Sequence, residues 1–386
     1  MSQRPPFQAP RNRVIPLFFI FVLVVGLIGY RVVSVQVVRS GEFSRWAVAE
    51  RMQENVVPAR RGEIYDAHGL RLATNAPANR VSAIIDQITD KRAVAGQLAS
   101  LLGRSAEEIE IALNQPDLEW VLLARHLSPA QSAQVAALGL DGIVLDPEPS
   151  RVYPFGAFAS HVLGFTNDDM QGNYGIEGRY DEALTGTPGR LVGERDAAGN
   201  VIGLTHSSWD SPLDGADLVL TLDSAVQRAI EEVLDTVVKE QDALGGTIIV
   251  QDTRTGAILG LANRSTFNPN RYGDVADAAS YLNPAISAIY EPGSTFKSIV
   301  MAVGIDSGAV TPETTHNDEP GYIALEDGSR IRNFEDAIFG ELTMTRVLQV
   351  SSNLGAVFVA EEIGQKRFYE SLQEFGFGVP TGVELE

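Results

Sequence analysis

Residues 292–297 read Pro292-Gly293-Ser294-Thr295-Phe296-Lys297. Proline and glycine do not belong in a helix interior, and the apolar residues Phe296, Ile299, Val300 and Val303 that follow have helical spacing. The pattern predicts a helix with Ser294 at its N-terminus, where unpaired N–H groups and the helix dipole favour a developing negative charge. Lys297 lies one turn further along the same face, so its amine can reach the serine hydroxyl. Serine is a weak nucleophile until a neighbouring base takes its proton, and a desolvated lysine can be that base. The plainer reading is a serine cap beside a surface lysine. With four lysines in 386 residues, Ser-x-x-Lys arises by chance in about one such chain in four, so the motif needs a second signal.

That signal is Ser351-Ser352-Asn353, which follows a helix-like run at 342–350. In an extended or turn segment Ser351 and Asn353 point the same way, presenting a hydroxyl relay and an amide. Taken alone, a helix cap explains it as well. Ser-x-x-Lys and Ser-x-Asn together belong to a named set that is completed by Lys-Thr-Gly.

Composition narrows the field. The chain has no cysteine, which excludes disulfides, thiol catalysis and Cys-based zinc sites. Thirty basic against 50 acidic residues give a formal charge of −20, so nucleic acid is excluded as a first expectation. His68, His126, His161, His206 and His316 are scattered, without the close spacing of a metal-binding helix. Residues 14–30 (VIPLFFIFVLVVGLIGY) carry no charge, and apolar character resumes after Arg31 through Val38. About 20 apolar residues span a bilayer, and Arg31 can snorkel to the interface. Arg4, Arg11 and Arg13 precede the run with no acid among them, which predicts a cytoplasmic N-terminus and a single-pass protein with its main domains outside the cytoplasmic membrane. A cleaved signal peptide would have a shorter apolar core and a small-x-small site, whereas Tyr30-Arg31-Val32-Val33 follows here.

Beyond the anchor, residues 39–57 read as a helix with Phe43, Trp46, Ala47 and Glu50 on one face, ended by Pro58. Ile64-Tyr65 and residues 70–73 flank Asp66-Ala67-His68-Gly69, a strand, tight turn and strand. Helices are expected over 93–102, 105–113 and 128–138, separated by strands at 119–124 and 142–146. After a loop-rich stretch, residues 218–222 read as a strand. Asp223 or Ser224 caps a helix with Val226, Ile230, Val233, Leu234 and Val237 on one side. Two apolar runs at 246–252 and 257–262 form a hairpin around Thr253-Arg254-Thr255-Gly256. Strands first and helices from about 294 to 363 indicate an α+β domain.

Further blocks give these motifs a context. They are Arg61-Gly62-Glu63-Ile64-Tyr65-Asp66 with Gly69 and Leu72-Ala73, Arg151-Val152-Tyr153-Pro154, and His161-Val162-Leu163-Gly164-Phe165-Thr166-Asn167. Gly175-Ile176-Glu177, Tyr180-Asp181 and Leu184-Thr185-Gly186-Thr187-Pro188-Gly189 follow, and then Tyr290-Glu291 leads into Pro292–Lys297. In this order the chain resembles the class B penicillin-binding proteins, membrane-anchored peptidoglycan transpeptidases, over essentially its whole length. The Gly-Phe-Thr-Asn wording is more similar to the septal, cell-division branch than to the elongation branch. The resemblance implies a cytoplasmic tail (1–13), a transmembrane anchor (14–38), a pedestal or dimerisation domain (39–212) and a transpeptidase domain (213–386) with an antiparallel sheet flanked by helices. It implies Ser294 as nucleophile, Lys297 as its base, Ser351 as proton relay, and Asn353 holding Lys297 and the substrate amide. It also implies no metal or cofactor, substrates ending in D-Ala-D-Ala, β-lactam binding, and a SEDS-type glycosyltransferase with other division proteins as partners.

The family's third motif, Lys-Thr/Ser-Gly, does not occur in these 386 residues. Arg254-Thr255-Gly256 imitates it but precedes the nucleophile. The sequence is therefore expected to be a fragment or a premature end of the reading frame. This polypeptide is expected to be inactive or nearly so, because losing one oxyanion donor alone costs about 10²–10³ in rate. Two rivals stand beside the transpeptidase. One is another acyl-serine protein (carboxypeptidase, β-lactamase or β-lactam sensor), which generally lacks the block at 61–66. The other is a catalytically silent membrane scaffold.

Overall fold

Arg11–Val33 is one α-helix that runs into a π turn over Ser34–Val38. Its side chains are exposed from Ile15 to Val33, and the segment Ile15–Val37 is long and apolar enough to cross a membrane. The computed structural model describes residues 11–41, 52–116, 118–194, 208–325 and 327–385. The chain divides into two units, Met1–Tyr281 and Leu282–Glu386.

The expected helix over 39–57 is not found in its described C-terminal part. Met52–Val57 is a strand, antiparallel to Gly189–Glu194, with Val57 opposite Gly189 and Asn55 opposite Leu191. Ser208–Asp210 adds a third strand to this sheet. The β-branched pair Val56-Val57 suits a strand, and pairing with a distant partner overrides the local helical spacing. Phe43, Trp46, Ala47 and Glu50, the face of that expected helix, lie outside the described residues.

The other elements of the first unit follow from their local signals. Ile64–Tyr65 and Arg71–Ala76 pair around the turn at Asp66, whose carboxylate accepts from the His68 and Leu70 N–H groups at 2.9 and 2.7 Å. Ser150–Val152 and Leu218–Val219 complete this four-stranded sheet. In a second sheet Asn79–Ile84 lies between Trp120–Leu127 and Ile143–Pro147, all antiparallel. Three helices cover it. Lys91–Leu102 is capped by Asp90, and Ala106–Leu113 and Pro129–Ala137 begin with capping boxes, Ser105 with Glu108 and Ser128 with Gln131. Val81, Ala83, Leu98, Ile109, Leu113 and Leu123 form the buried core between helices and sheet.

Blocks far apart in the chain meet in one buried ion cluster. Glu177 has no exposed surface. Its Oε2 accepts from Arg61 Nε at 2.8 Å and its Oε1 from Arg151 Nε at 2.7 Å. Arg61 Nη1 also donates to Asp181 at 2.6 Å and Thr185 at 2.8 Å, and Arg151 Nη1 donates to the Gly62 carbonyl at 2.7 Å. Gly62 must be glycine because a Cβ there would meet the Ala216 carbonyl oxygen at 1.9 Å.

The helix Ser224–Glu240, capped by Asp223, packs on the hairpin of Gly246–Gln251 and Ile258–Arg264. Gln227 fixes that contact. Its amide donates to the Leu261 carbonyl at 2.8 Å and accepts from the Leu261 N–H at 2.7 Å, fully buried. Val226, Ile230 and Leu234 face the strands at Gly260 and Gly246, whereas Val233 and Val237 stay exposed, so the apolar stripe is narrower than its spacing predicts.

The second unit is mainly helical. Lys297–Asp306, Met344–Val350, Asn353–Ile363 and Gln365–Glu374 follow one another, with short strand pairs Thr315–Asn317 with Glu341–Thr343 and Ile323–Ala324 with Arg330–Ile331. Val300, Met301, Val310, Leu342, Met344, Val347 and Val359 make its core.

Glu177→Ala leaves two buried guanidinium groups without their shared counter-charge, at a cost of about 3–5 kcal/mol. A fall in melting temperature on the order of 10 °C is expected by circular dichroism of the detergent-solubilised chain. Lys366→Ala, which removes only the exposed pair to Glu370, is expected to change stability by less than about 0.5 kcal/mol.

Candidate active site

The turn that presents Ser294 is built by the two residues before it. Pro292 has a helical backbone conformation (φ −67°, ψ −19°), and Gly293 sits at φ +62°, a region that costs glycine nothing. Gly293–Phe296 is one turn of 3₁₀-helix, and the α-helix proper begins at Lys297. Ser294 is therefore on the tightened entry turn. Thr295 Oγ1 donates to the Pro292 carbonyl at 2.7 Å, and Ser298 Oγ donates to the Thr295 carbonyl at the same distance. Both bonds hold the turn's backbone and leave the exposed Ser294 side chain outside the packing.

Val300, Met301 and Val303 bury the inner face of the helix. Gly304 lets it approach Asn353–Ile363 closely, since a Cβ there would meet Val359 Cγ1 at 2.6 Å. Gly355 does the same between Asn353–Ile363 and Met344–Val350, where a Cβ would meet Val347 at 2.6 Å. These contacts bring the corner between Met344–Val350 and Asn353–Ile363 up to Lys297.

Ser351 caps the end of Met344–Val350 in the left-handed region, φ +54° and ψ +46°. It is neither extended nor part of a regular helix. Lys297 Nζ donates to the Ser351 carbonyl at 2.6 Å and to Ser351 Oγ at 3.1 Å. Among the described residues no hydrogen bond joins Lys297 to Ser294, its neighbour one turn back. Burial holds the Lys297 amine below the usual lysine range, which enlarges its neutral fraction. Asn353 opens the following helix, and its Nδ2 donates to the Arg332 carbonyl at 2.6 Å. The structure thus joins Lys297 to Ser351, leaves Ser294 exposed on the entry turn three residues before Lys297, and turns the Asn353 amide toward the 330–332 segment. Arg254-Thr255-Gly256 lies in an exposed hairpin turn with Arg254 paired to Asp252.

The residues behind this corner carry no motif of their own in the linear chain. Ser352, the middle residue of Ser-x-Asn, is fully buried. Its Oγ accepts from the Gly355 N–H at 2.9 Å and reaches Asp318 Oδ2 at 3.0 Å. Asn333 Oδ1 accepts from the Asn353 N–H at 2.7 Å. Asp318 and Asn333 lie in short irregular segments that carry no periodic signal. Asp318 stands between Asn317 and Glu319, and Asn333 between Arg332 and Phe334, so neither has the apolar flanks that would mark a buried polar residue.

A family model described as the penicillin-binding protein dimerisation domain matches residues 56–220, and one described as the penicillin binding protein transpeptidase domain matches residues 246–386. The chain belongs to the class B penicillin-binding proteins. Among relatives of this penicillin-binding protein, stage V sporulation protein D of Bacillus subtilis is 31% identical over 378 residues, covering 97% of this chain and 58% of the relative. A protein named probable peptidoglycan D,D-transpeptidase PenA, from Neisseria meningitidis, is 32% identical over 331 residues, 85% of this chain and 56% of the relative. A peptidoglycan synthetase from Bifidobacterium adolescentis, solved by crystallography, is similar with a TM-score of 0.60 and 26% identity, over 86% of this chain and 64% of that one. The chain spans somewhat over half the length of the curated relatives it matches.

The direction of the Lys297 shift sets a pH dependence of stability. Between its folded value and the ordinary lysine value, the folded chain binds fewer protons at this site than the unfolded chain, so stability rises with pH across that window. Thermal melts of wild type and Lys297→Met at a series of alkaline pH values are expected to diverge in favour of wild type as pH rises.

Proposed function

We propose that the intact gene product is a membrane-anchored D,D-transpeptidase that cross-links peptidoglycan stem peptides through an acyl-serine intermediate. The observation that carries this reading is the Lys297 amine. It is drawn below its usual pKa by burial, held at 2.6 Å by the Ser351 carbonyl, and lies one turn from an exposed serine hydroxyl.

In the reaction, Lys297 takes the Ser294 proton as Oγ attacks the carbonyl carbon between the two terminal D-alanines. The C–N bond breaks, the leaving amine takes a proton passed from Lys297 through Ser351, and free D-alanine departs. The amine of a second stem peptide then attacks the ester, loses a proton back along the same path, and restores the Ser294 hydroxyl as the cross-link forms. Asn353 positions the substrate amide. In a β-lactam the same attack opens the ring and leaves a stable acyl-serine.

The arginines before the apolar helix, Arg4, Arg11 and Arg13, support a cytoplasmic N-terminus with the remainder outside. The Gly164-Phe165-Thr166-Asn167 wording supports a septal role, with a SEDS-type glycosyltransferase and other division proteins as partners. Residues 1–13 act as tail, 14–38 as anchor, 39–212 as pedestal and 213–386 as the transpeptidase part in this reading.

The test is the rate of acylation of the intact gene product by a fluorescent penicillin. Ser294→Ala is expected to abolish labelling. Lys297→Met is expected to slow it by about 10²–10⁴ and to remove the rising alkaline limb of the pH–rate profile. Undiminished labelling of Ser294→Ala contradicts the proposal.

A further inference from the structure

The polar cluster behind the Ser351 corner is tied together by donor and acceptor logic. Asp318 has no exposed surface, and as a carboxylate it offers only acceptors. Ser352 Oγ lies 3.0 and 3.2 Å from its two oxygens, Asn333 Nδ2 donates to Oδ2 at 2.8 Å, and His316 Nε2 stands 3.1 Å from Oδ1. Because Asp318 cannot donate, Asn333 must turn its NH₂ toward it. A second hydrogen of that group goes to the Ala337 carbonyl at 3.0 Å. The Asn333 carbonyl is then left facing the start of Asn353–Ile363, where it accepts from the Asn353 N–H at 2.7 Å. The Ser352 hydroxyl hydrogen, drawn to Asp318, leaves Oγ free to accept from the Gly355 N–H at 2.9 Å.

Two unpaired N–H groups at the head of a helix are thereby satisfied by side chains whose orientation a single carboxylate dictates. The residue just before this capped start is Ser351, a non-glycine in the left-handed region, a conformation that persists only where its surroundings over-determine it. Both acceptors of the Lys297 amine, the Ser351 carbonyl and hydroxyl, belong to that residue.

We infer that Asp318, acting through Asn333 and Ser352, is the positioning residue that holds Ser351 and Asn353 in register with Lys297. This rests on the acyl-serine reading, with Asp318 itself remote from the reacting atoms and exerting its effect through the corner. The groups around it are His316, whose ring stacks on Phe358 at 4.9 Å, together with Asn333 and Ser352.

The experiment compares four forms of the intact gene product: wild type, Asp318→Asn, the double exchange Asp318→Asn with Asn333→Asp, and Ser294→Ala. Acylation by a fluorescent penicillin is resolved into pre-acylation affinity and acylation rate across pH, beside melting temperature. An amide at 318 no longer obliges Asn333 to present its NH₂, so the corner loosens. The acylation rate is expected to fall by about 10²-fold while affinity changes only a few-fold. The alkaline limb is expected to move to lower pH, because a charged Lys297 loses its acceptors. In the double exchange, a carboxylate at 333 again accepts from the Asn353 N–H while the 318 amide donates to it, so most of the rate and the position of the limb are expected to return. If Asp318→Asn fails to fold, the double exchange alone carries the test. Wild-type rate and limb in Asp318→Asn, or a folded double exchange that stays as slow as the single variant, overturns the inference while a silent Ser294→Ala leaves the acyl-serine reading standing. Normal labelling of Ser294→Ala overturns both.

Discussion

A carboxylate sealed from water must find its counter-charge inside the protein, and Glu177 takes it from Arg61 and Arg151 together. That demand reaches across the first unit. Arg61 comes from the segment leading into the Ile64 strand and Arg151 from a strand added to the same sheet, while Asp181 and Thr185 come from the helical turns beyond Glu177. Such a cluster adds little net stability over an apolar core of equal volume. Its value lies in register, because each guanidinium has a fixed fork and the cluster tolerates only one arrangement of the segments that supply it.

The second unit meets its central requirement by another route. Lys297 is partly desolvated and still oriented by its two Ser351 acceptors, and close helix packing at Gly304 and Gly355 brings the segments that carry these groups together. The same packing forces the chain to reverse within Ser351-Ser352, which explains why a serine adopts a backbone conformation usually left to glycine or asparagine. The polar cluster of Asp318, Asn333 and Ser352 holds that reversal from behind.

Much of this was legible in the linear chain, for identifiable reasons. The helices Ala106–Leu113 and Pro129–Ala137 announce themselves through Ser105 with Glu108 and Ser128 with Gln131, signals that depend only on near neighbours. The hairpin at 246–264 and the turn at Asp66 are local in the same sense. The turn and helix start that carry Ser294 and Lys297 were readable because Pro292-Gly293 and the apolar spacing after them are local signals. The failures are non-local. Met52–Val57 is a strand because of a partner more than 130 residues away. Val233 and Val237 have the spacing of a buried stripe, yet the two-stranded hairpin covers only the part of the helix lined by Val226, Ile230 and Leu234. The left-handed Ser351 and the contribution of Asp318 were invisible because both depend on segments brought together only by folding.

In the proposed reaction one alcohol, Ser294, becomes the covalent attachment point. Peptide mapping by mass spectrometry after incubating the intact gene product with unlabelled benzylpenicillin tests it most directly. A single adduct of the full penicillin mass is expected on the proteolytic peptide that contains Ser294, with fragment ions placing it on that residue. An adduct confined to another residue, or a fully recovered unmodified Ser294 peptide from protein that has consumed the drug, would contradict it.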